Sequence, residues 1–233
     1  MCINKMRICI MVLGLVALCA LIVGCEGSSA RPSCTAAKKP AYSVKRLGPY
    51  ELDEEGFITN WLILGPFPNP GERPDNEGFH VDYLKEYGGE LKHVPANGME
   101  ITKDDGTTIE WAKYETSYSS RIDFFSVDHL DLGYMQDDIL TYSACWLECE
   151  KDMNVQIRVG SDDGYKLWVD HKLIGEEHVY RAAYQDQESY PIKLSKGMHL
   201  VLIKVDQDYG AFEFMLRVTT PGGSKATGIK VWN

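Results

Sequence analysis

Asp162 and Asp163 stand side by side in the stretch Gly160-Ser161-Asp162-Asp163-Gly164-Tyr165. Adjacent carboxylates in a tight polar turn are the residues of this chain best placed for chemistry. Two readings compete for them. Asp side chains accept hydrogen bonds from nearby backbone amides and Gly164 can supply a positive φ, so Ser161 to Gly164 is good turn chemistry in itself. The same two carboxylates, with carbonyls nearby, offer the hard oxygen ligands of which Ca2+ takes about six to eight. As a general acid–base pair they are poor. Neighbours on an extended chain point to opposite sides, whereas glycoside hydrolysis needs two carboxyls facing one another across a bond. A second pair, in Lys103-Asp104-Asp105-Gly106, is accounted for by a hairpin turn.

The elements around the first pair must position it. Val155 to Val159 alternates apolar and polar residues, as a half-buried strand does. Beyond the acids, Leu167 and Val169 share one face of a short run while Lys166, Trp168 and Asp170 share the other, until Asp170-His171-Lys172 reverses the chain into a third run. Three strands within some twenty residues predict an antiparallel meander with the acids at one corner. The loop from Val179 to Ser189 adds Tyr180, Arg181, Tyr184 and Asp186: stacking faces, a fork of donors and an acceptor, the ingredients for gripping a ring of hydroxyls. Tyr165 and Trp168 complete the candidate carbohydrate-binding set, Trp168 as either a surface platform or a contact with a second sheet. The competing reading is an exposed loop whose tyrosines lie along the sheet and whose Arg181 pairs with a neighbouring acid.

Further strands are expected at Ile58 to Leu64, in a hairpin from Met99 to Trp111, at Ile122 to Val127, Ile139 to Glu150, Tyr190 to Leu194, Met198 to Val205, Phe212 to Val218 and Gly228 to Trp232. The prolines of Gly65-Pro66-Phe67-Pro68-Asn69-Pro70 take the chain out of its sheet. Phe79 to Tyr87, closed by Gly88-Gly89, reads as one short helix. Many short strands with turn signals and scarcely a helix predict an all-β, antiparallel β-sandwich over residues 46–233. Trp61, Trp111, Trp146 and Trp232 read as packing residues. No Ser/His/Asp or Cys/His nucleophile pattern, no zinc spacing among the six histidines and no phosphate-cradling glycine loop stands out.

Residues 1–24 carry Lys5 and Arg7 ahead of an uncharged apolar run from Ile8 to Val23, the layout of a cleaved export signal and short for a membrane span. Ile22-Val23-Gly24-Cys25 resembles the bacterial lipoprotein cleavage box. That resemblance implies lipidation of Cys25, a flexible tether over 25–45, and a protein anchored outside the cytoplasm by acyl chains (palmitate among them) that each add about 0.8 kcal/mol per buried methylene. By the same resemblance Glu26, where an aspartate would retain the protein on the inner membrane, favours the outer one in a cell with two. Removal of the signal leaves 22 basic against 34 acidic residues, a surface that repels nucleic acid. Of seven cysteines, only Cys145 and Cys149 fall in the folded part. Four residues apart on one strand, they are too far apart for a disulfide and read as small core residues.

Trp61 to Asn69 (WLILGPFPN), Gly160 to Asp170 (GSDDGYKLWVD) and Leu194 to Val218 together resemble a jelly-roll module of exported bacterial proteins. The stretch is similar to the sugar-binding domain of family 2 glycoside hydrolases and to the protective-antigen-type lectin domain. The lectin-type resemblance implies calcium at Asp162 and Asp163, and through it sugar hydroxyls; the hydrolase-type resemblance implies a structural turn. The expected function is a membrane-anchored, non-catalytic carbohydrate-binding module, calcium-assisted in the first case and metal-free in the second. The alternative is a structural or protein-interaction module of the cell envelope. A polysaccharide-degrading enzyme ranks last, because no carboxylate pair lies across a cleft.

Overall fold

The structure, a computed structural model, describes residues 45–73, 75–116, 120–133 and 136–233. The expected signal segment, Cys25 and all of the tether but Lys45 lie outside the described residues. Two antiparallel sheets form the expected β-sandwich. The larger runs in the order β1 (Tyr50–Glu51), β14 (Ile229–Trp232), β7 (Ile139–Cys149), β12 (Gly197–Gln207), β9 (Tyr165–Val169) and β10 (Lys172–Glu177). Beside the first half of β7 lies β2 (Asn60–Pro68), which also pairs with β5 (Ala112–Glu115). The smaller sheet runs β11 (Glu188–Leu194), β8 (Met153–Asp162), β13 (Glu213–Thr219) and β6 (Ile122–Asp123). A hairpin of β3 (Glu100–Thr102) and β4 (Thr108–Glu110) stands apart from both.

The expected meander does not form. β9 and β10 form a hairpin, but β8 belongs to the smaller sheet and β9 to the larger. The Asp162–Asp163 corner is therefore where the chain changes sheets. An alternating pattern reads the same whether the next strand pairs with it or faces it across a core, which is why the sequence suggested a turn. The stretch expected to be one helix is two 3-10 turns, Glu77–His80 and Lys85–Tyr87. β2 also continues past Pro66 to Pro68, because the pairing with β7 shifts register between Leu64 and Phe67 and needs no amide from Pro66.

Alternation along the central strands sorts side chains into two cores. Cys145, Leu147, Leu167, Val169, Val201 and Ile203 of the larger sheet meet Val155, Ile157, Val159 and Leu216 of the smaller and fill the space between them. Leu140, Tyr142, Ala144, Trp146, Trp168, Leu200 and Leu202 point the other way, into a second core closed by Leu84, Ile101 and Trp111 from the covering loops and hairpin. A strand apolar on both faces is one covered on both faces, and β7 is such a strand. Cys145 and Cys149 are free thiols in the first core, and burial pushes both thiols up.

Two polar clamps tie separate parts of the fold together, and the first holds the covering elements. Lys204, fully buried on β12, donates to the carbonyls of Phe79 (3.0 Å) and Val81 (2.8 Å) and pairs with Glu90 at 2.6 Å. Glu90 also accepts from Tyr142 Oη at 2.7 Å. Burial pulls the Lys204 pKa down, and Glu90 acts against that. Elsewhere, His199 joins the β9–β10 turn to the β11–β12 turn, its Nδ1 2.6 Å from Asp170 Oδ2 and its Nε2 2.8 Å from the Ser195 carbonyl. The Ser195 hydroxyl lies farther from Nε2, at 3.5 Å, so the Ser, His and Asp that meet here form a tie between turns in which both ring nitrogens face acceptors. Burial lowers the His199 pKa, but the Asp170 and Ser195 hydrogen bonds outweigh it and the net shift is upward.

Removing one partner of the buried Lys204 pair should cost far more than replacing both. Glu90→Gln is expected to destabilise by about 3 kcal/mol or more in chemical denaturation, and Glu90→Leu with Lys204→Met markedly less; equal losses would show that the charges themselves do not matter. The His199 tie has a sign in pH. Its pKa is raised on folding, so its contribution is fully present below the unfolded value near 6.5 and is lost as pH rises through the folded value. The stability gap between the parent and His199→Asn should therefore shrink from pH 5.5 to pH 8.5 in thermal melts, and a gap constant with pH would refute an imidazolium tie.

Candidate functional site

The sheet-crossing corner is packed from both sides. Ser161, Asp162 and Asp163 are at most 6% exposed, and the Asp162–Asp163 peptide is cis. The carbonyl of Tyr184 lies 1.8 Å from where a β-carbon on Gly160 would sit, so glycine is required for the 178–187 loop to lie against β8. Gly164 is equally confined, with Asp206 Oδ1 at 2.5 Å and the Glu177 carbonyl at 2.6 Å from a β-carbon there. The end of β12 meets the corner through the backbone: the Asp163 amide donates to the Asp206 carbonyl (3.0 Å) and the Asp206 amide to the Gly164 carbonyl (3.1 Å).

The two acids have different surroundings. Asp163 is engaged: Oδ1 accepts from the Arg181 amide at 2.9 Å and Oδ2 from the Asp208 amide at 2.8 Å, with the Tyr209 amide also directed at it. It ties together the 178–187 loop and the turn after β12. Asp162 receives the Ala183 amide but leaves Oδ1 buried and unpartnered. Around them, Asp206 and Asp208 are also buried, each with one unpartnered oxygen, as are Asn69 Oδ1 and Gln207 Oε1. Asn69 Nδ2 reaches Asp206 Oδ2 at 3.4 Å. His178, stacked on Phe79 at 4.1 Å, holds its Nε2 3.7 Å from the same Asp206 oxygen.

Charge of one sign is thus concentrated out of water. Burial, then the Asp163 and Glu213 charges, raise Asp162 to about 7. Burial, then Asp208 and Asp163, raise Asp206 to about 7. Asp163 rises less, to about 6, because burial is opposed by the amides it accepts from. Burial lowers His178, so that ring adds little compensating charge. Among the described residues, no three His, Cys, Asp or Glu side chains converge closely enough to hold a metal ion by themselves. What the corner does present is oxygen: carboxylates and side-chain amides with unused lone pairs, the donor type that suits a hard cation.

Next to the corner, Tyr180 and Tyr209 stack at 4.8 Å and 17° with both rings about half exposed. Arg73 sits over Tyr209, 5.5 Å from the ring centroid, and is itself held by Asp138 through Nε (2.6 Å) and Nη2 (2.7 Å). The stack is thereby fixed from below. The Tyr180 hydroxyl is pushed up to about 12 by its hydrogen bond to Tyr209 and by the nearby Asp163 and Asp162, which places the ring in the field of the acid corner.

Of the residues expected to contact carbohydrate, Tyr180 and Tyr184 are exposed, Tyr184 the more so at 67%. Tyr165 and Trp168, expected to contact carbohydrate as well, are instead buried. Tyr165 is fully buried between the sheets, its hydroxyl bonded to that of Tyr190, and Trp168 is 2% exposed in the second core. The outer face of β9 is roofed by the covering loops, so Trp168 has no free ring face. Arg181 forms the ion pair considered as its alternative, bidentate with Glu188 at 2.6 and 2.9 Å, while Nη2 donates to Ser161 Oγ at 3.0 Å. It braces the corner with little donor capacity left for a ligand. Asp186 is held by Arg217 and Arg158 over the smaller sheet, so it is a structural acceptor. Tyr209, Asp206, Asp208, Asn69 and Arg73 join the site without having stood out in the sequence. Val205-Asp206-Gln207-Asp208-Tyr209-Gly210 has the same mixture of acids, aromatic and glycine after a strand as the first corner, and that was the signal available. The Asp104–Asp105 pair is a hairpin turn as expected, with Asp105 Oδ1 capping the Thr107 amide at 2.8 Å.

No protein-family model matches the chain, and no curated protein matches it in sequence. Among solved structures, the chain is similar to an anti-sigma factor domain-containing protein (21% identity, TM-score 0.35), over 39% of this chain and 32% of that one. It is similar to the PA14 domain of the MpAFP antifreeze protein (13% identity, TM-score 0.41), over 76% and 90%. A third is the PA14 sugar-binding domain from an RTX adhesin (19% identity, TM-score 0.31), over 70% and 69%. The chain spans about a third of the first of these structures.

Proposed function

We propose that this protein is an exported, lipid-anchored carbohydrate-binding module whose acid corner takes a calcium ion and whose Tyr180 ring receives the sugar. The observation that carries the reading is the unpartnered Asp162 Oδ1, buried beside Asp163 and bordered by an exposed, braced aromatic stack. An incompletely compensated carboxylate out of water is costly, and a divalent cation is a neutralising group that oxygen ligands of this kind suit. Asp162 would supply a carboxylate oxygen. Asp163 would keep the two loops in register around it, and the remaining ligands would come from side-chain amides, backbone carbonyls and sugar hydroxyls. The bound ion would polarise vicinal hydroxyls, while Tyr180 offers a flat face to the apolar side of a pyranose. The export signal and the Cys25 cleavage box support a place on the outer side of a bacterial membrane, the outer membrane where there are two.

A second reading is favoured by one observation: Asp163 is satisfied by loop amides alone, as a purely structural corner would be. The two readings separate at the two acids. Calorimetry on the full-length protein in a sugar-free detergent should show calcium binding that Asp162→Asn weakens at least tenfold, while Asp163→Asn also lowers stability by about 1–3 kcal/mol through its lost amide partners. A glycan array should respond with calcium and fall silent with chelator. No calcium heat in the parent would leave the corner structural.

The acid corner also sets a pH trend. Asp162 and Asp206 have folded pKa values near 7, well above the ordinary carboxylate value, so the folded state holds more protons than the unfolded one across that interval. Stability of the calcium-free protein should therefore fall as pH rises from about 4 to about 7, and saturating calcium at pH 7.5 should restore it; at 100 times Kd the gain is about 2.7 kcal/mol. Thermal melts with calcium or chelator across this range would test it, and a calcium-free protein most stable at pH 7 or above would contradict it.

A further inference from the structure

A cleft of about 200 Å³ opens between the end of β2, the two 3-10 turns and the tip of the β3–β4 hairpin, and the acid corner uses none of the residues that line it. One wall is aromatic. Tyr83 stacks on Phe67 at 4.9 Å, Phe67 is wedged edge-on against Tyr142, and Tyr83 Oη donates to the Pro68 carbonyl, so the ring is held in place. Tyr87 stands beside it, its hydroxyl accepting from the Thr102 amide at 2.7 Å and so keeping its own hydrogen to donate. The opposite wall is the hairpin tip. Lys103 Nζ lies 3.5 Å from the Pro66 carbonyl and 4.0 Å from Asp105 Oδ2, and Asp104 stands next to it.

The chemistry of these walls selects among ligands. A flat apolar surface faces free donors on Tyr87 and Lys103 and an acceptor on Asp104, which suits a ring with one apolar face and hydroxyls that both give and take hydrogen bonds. Lys85 and Lys103 disfavour a bare cation, while Asp82, Glu86, Asp104 and Asp105 outnumber them and disfavour an anion. We infer that this cleft is a second, metal-independent binding site for a neutral pyranose, with Tyr83 and Tyr87 as the stacking wall and Lys103 and Asp104 as the polar contacts. It adjoins the acid corner through consecutive residues: Pro68 lines the cleft, and Asn69 reaches Asp206. The cleft stands on its own geometry and does not depend on calcium.

Saturation-transfer NMR on the full-length protein, in a sugar-free detergent with excess chelator, tests it directly with a panel of neutral monosaccharides and the matching uronic acids. The expected result is binding of at least one neutral pyranose and exclusion of its uronate. Lys103→Met and Asp104→Asn, both at the rim and checked for unchanged thermal melts, should each weaken binding about tenfold, the loss of one charge-assisted hydrogen bond. Asp162→Asn should leave this binding unchanged. Silence of every neutral sugar in chelator would overturn the inference, even with calcium-dependent binding intact; so would equal binding of uronates, or affinity indifferent to both rim substitutions. Chelator-resistant binding that survives while calcium binding proves absent would support the cleft and sink the corner as a metal site.

Discussion

Carboxylates out of water are the constraint on which this structure depends. Asp162, Asp163, Asp206 and Asp208 are all nearly inaccessible to solvent, at the point where the chain leaves one sheet for the other. A corner of this kind could have been made with small neutral residues. Here Asp163 replaces the lost water with amides from two loops, and so fixes where those loops lie. Glycine at 160 and 164 lets the loops approach closely enough for that exchange. Burial of Asp162 is less completely compensated, and this imbalance is what makes the corner more than a turn.

The same dependence on a few placed groups runs across the larger sheet. Its inner face meets the smaller sheet, while its outer face is roofed by loops with little regular structure of their own. Such a roof has few backbone ladders to hold it, and Lys204 supplies the connection by donating into the carbonyls of Phe79 and Val81 while pairing with Glu90. A buried ammonium is satisfied only in one geometry, so it selects a single placement of the loop as well as holding it there. That placement seats Phe79 against His178 beside the acid corner, and carries Tyr83 and Tyr87 to the cleft. Both candidate sites therefore rest on the roof being held.

The aromatic surfaces differ in how they are stiffened. Tyr180 is exposed but backed by Tyr209, which Arg73 covers in turn, with Asp138 behind the guanidinium. Tyr83 is backed by Phe67, which Tyr142 meets edge-on in turn. A ring whose rear face is already packed loses less freedom when a ligand covers its front, which favours binding by planar contact.

Local and periodic features were legible in the residue order. Alternation in Val155 to Val159 and across Leu167 to Val169, with the turn residues between strands, was enough for an antiparallel β-sandwich and for the faces of β9. The Asp104–Asp105 turn and the packing of Cys145 and Cys149 were legible for the same reason, since each depends on near neighbours. Which strands share a sheet emerged only from long-range packing. Packing turned the expected meander into a crossing between sheets, and roofed Trp168 where period-2 alternation distinguishes only two faces and not what covers them. It also brought Asp206, Asp208 and Tyr209 to a corner more than forty residues earlier in the chain, joined Arg181 to Glu188 and Asp186 to two arginines, and so separated ligand-facing from structural side chains. Those assignments follow from desolvation and from long-range hydrogen bonding, neither of which has a period that a sequence can display.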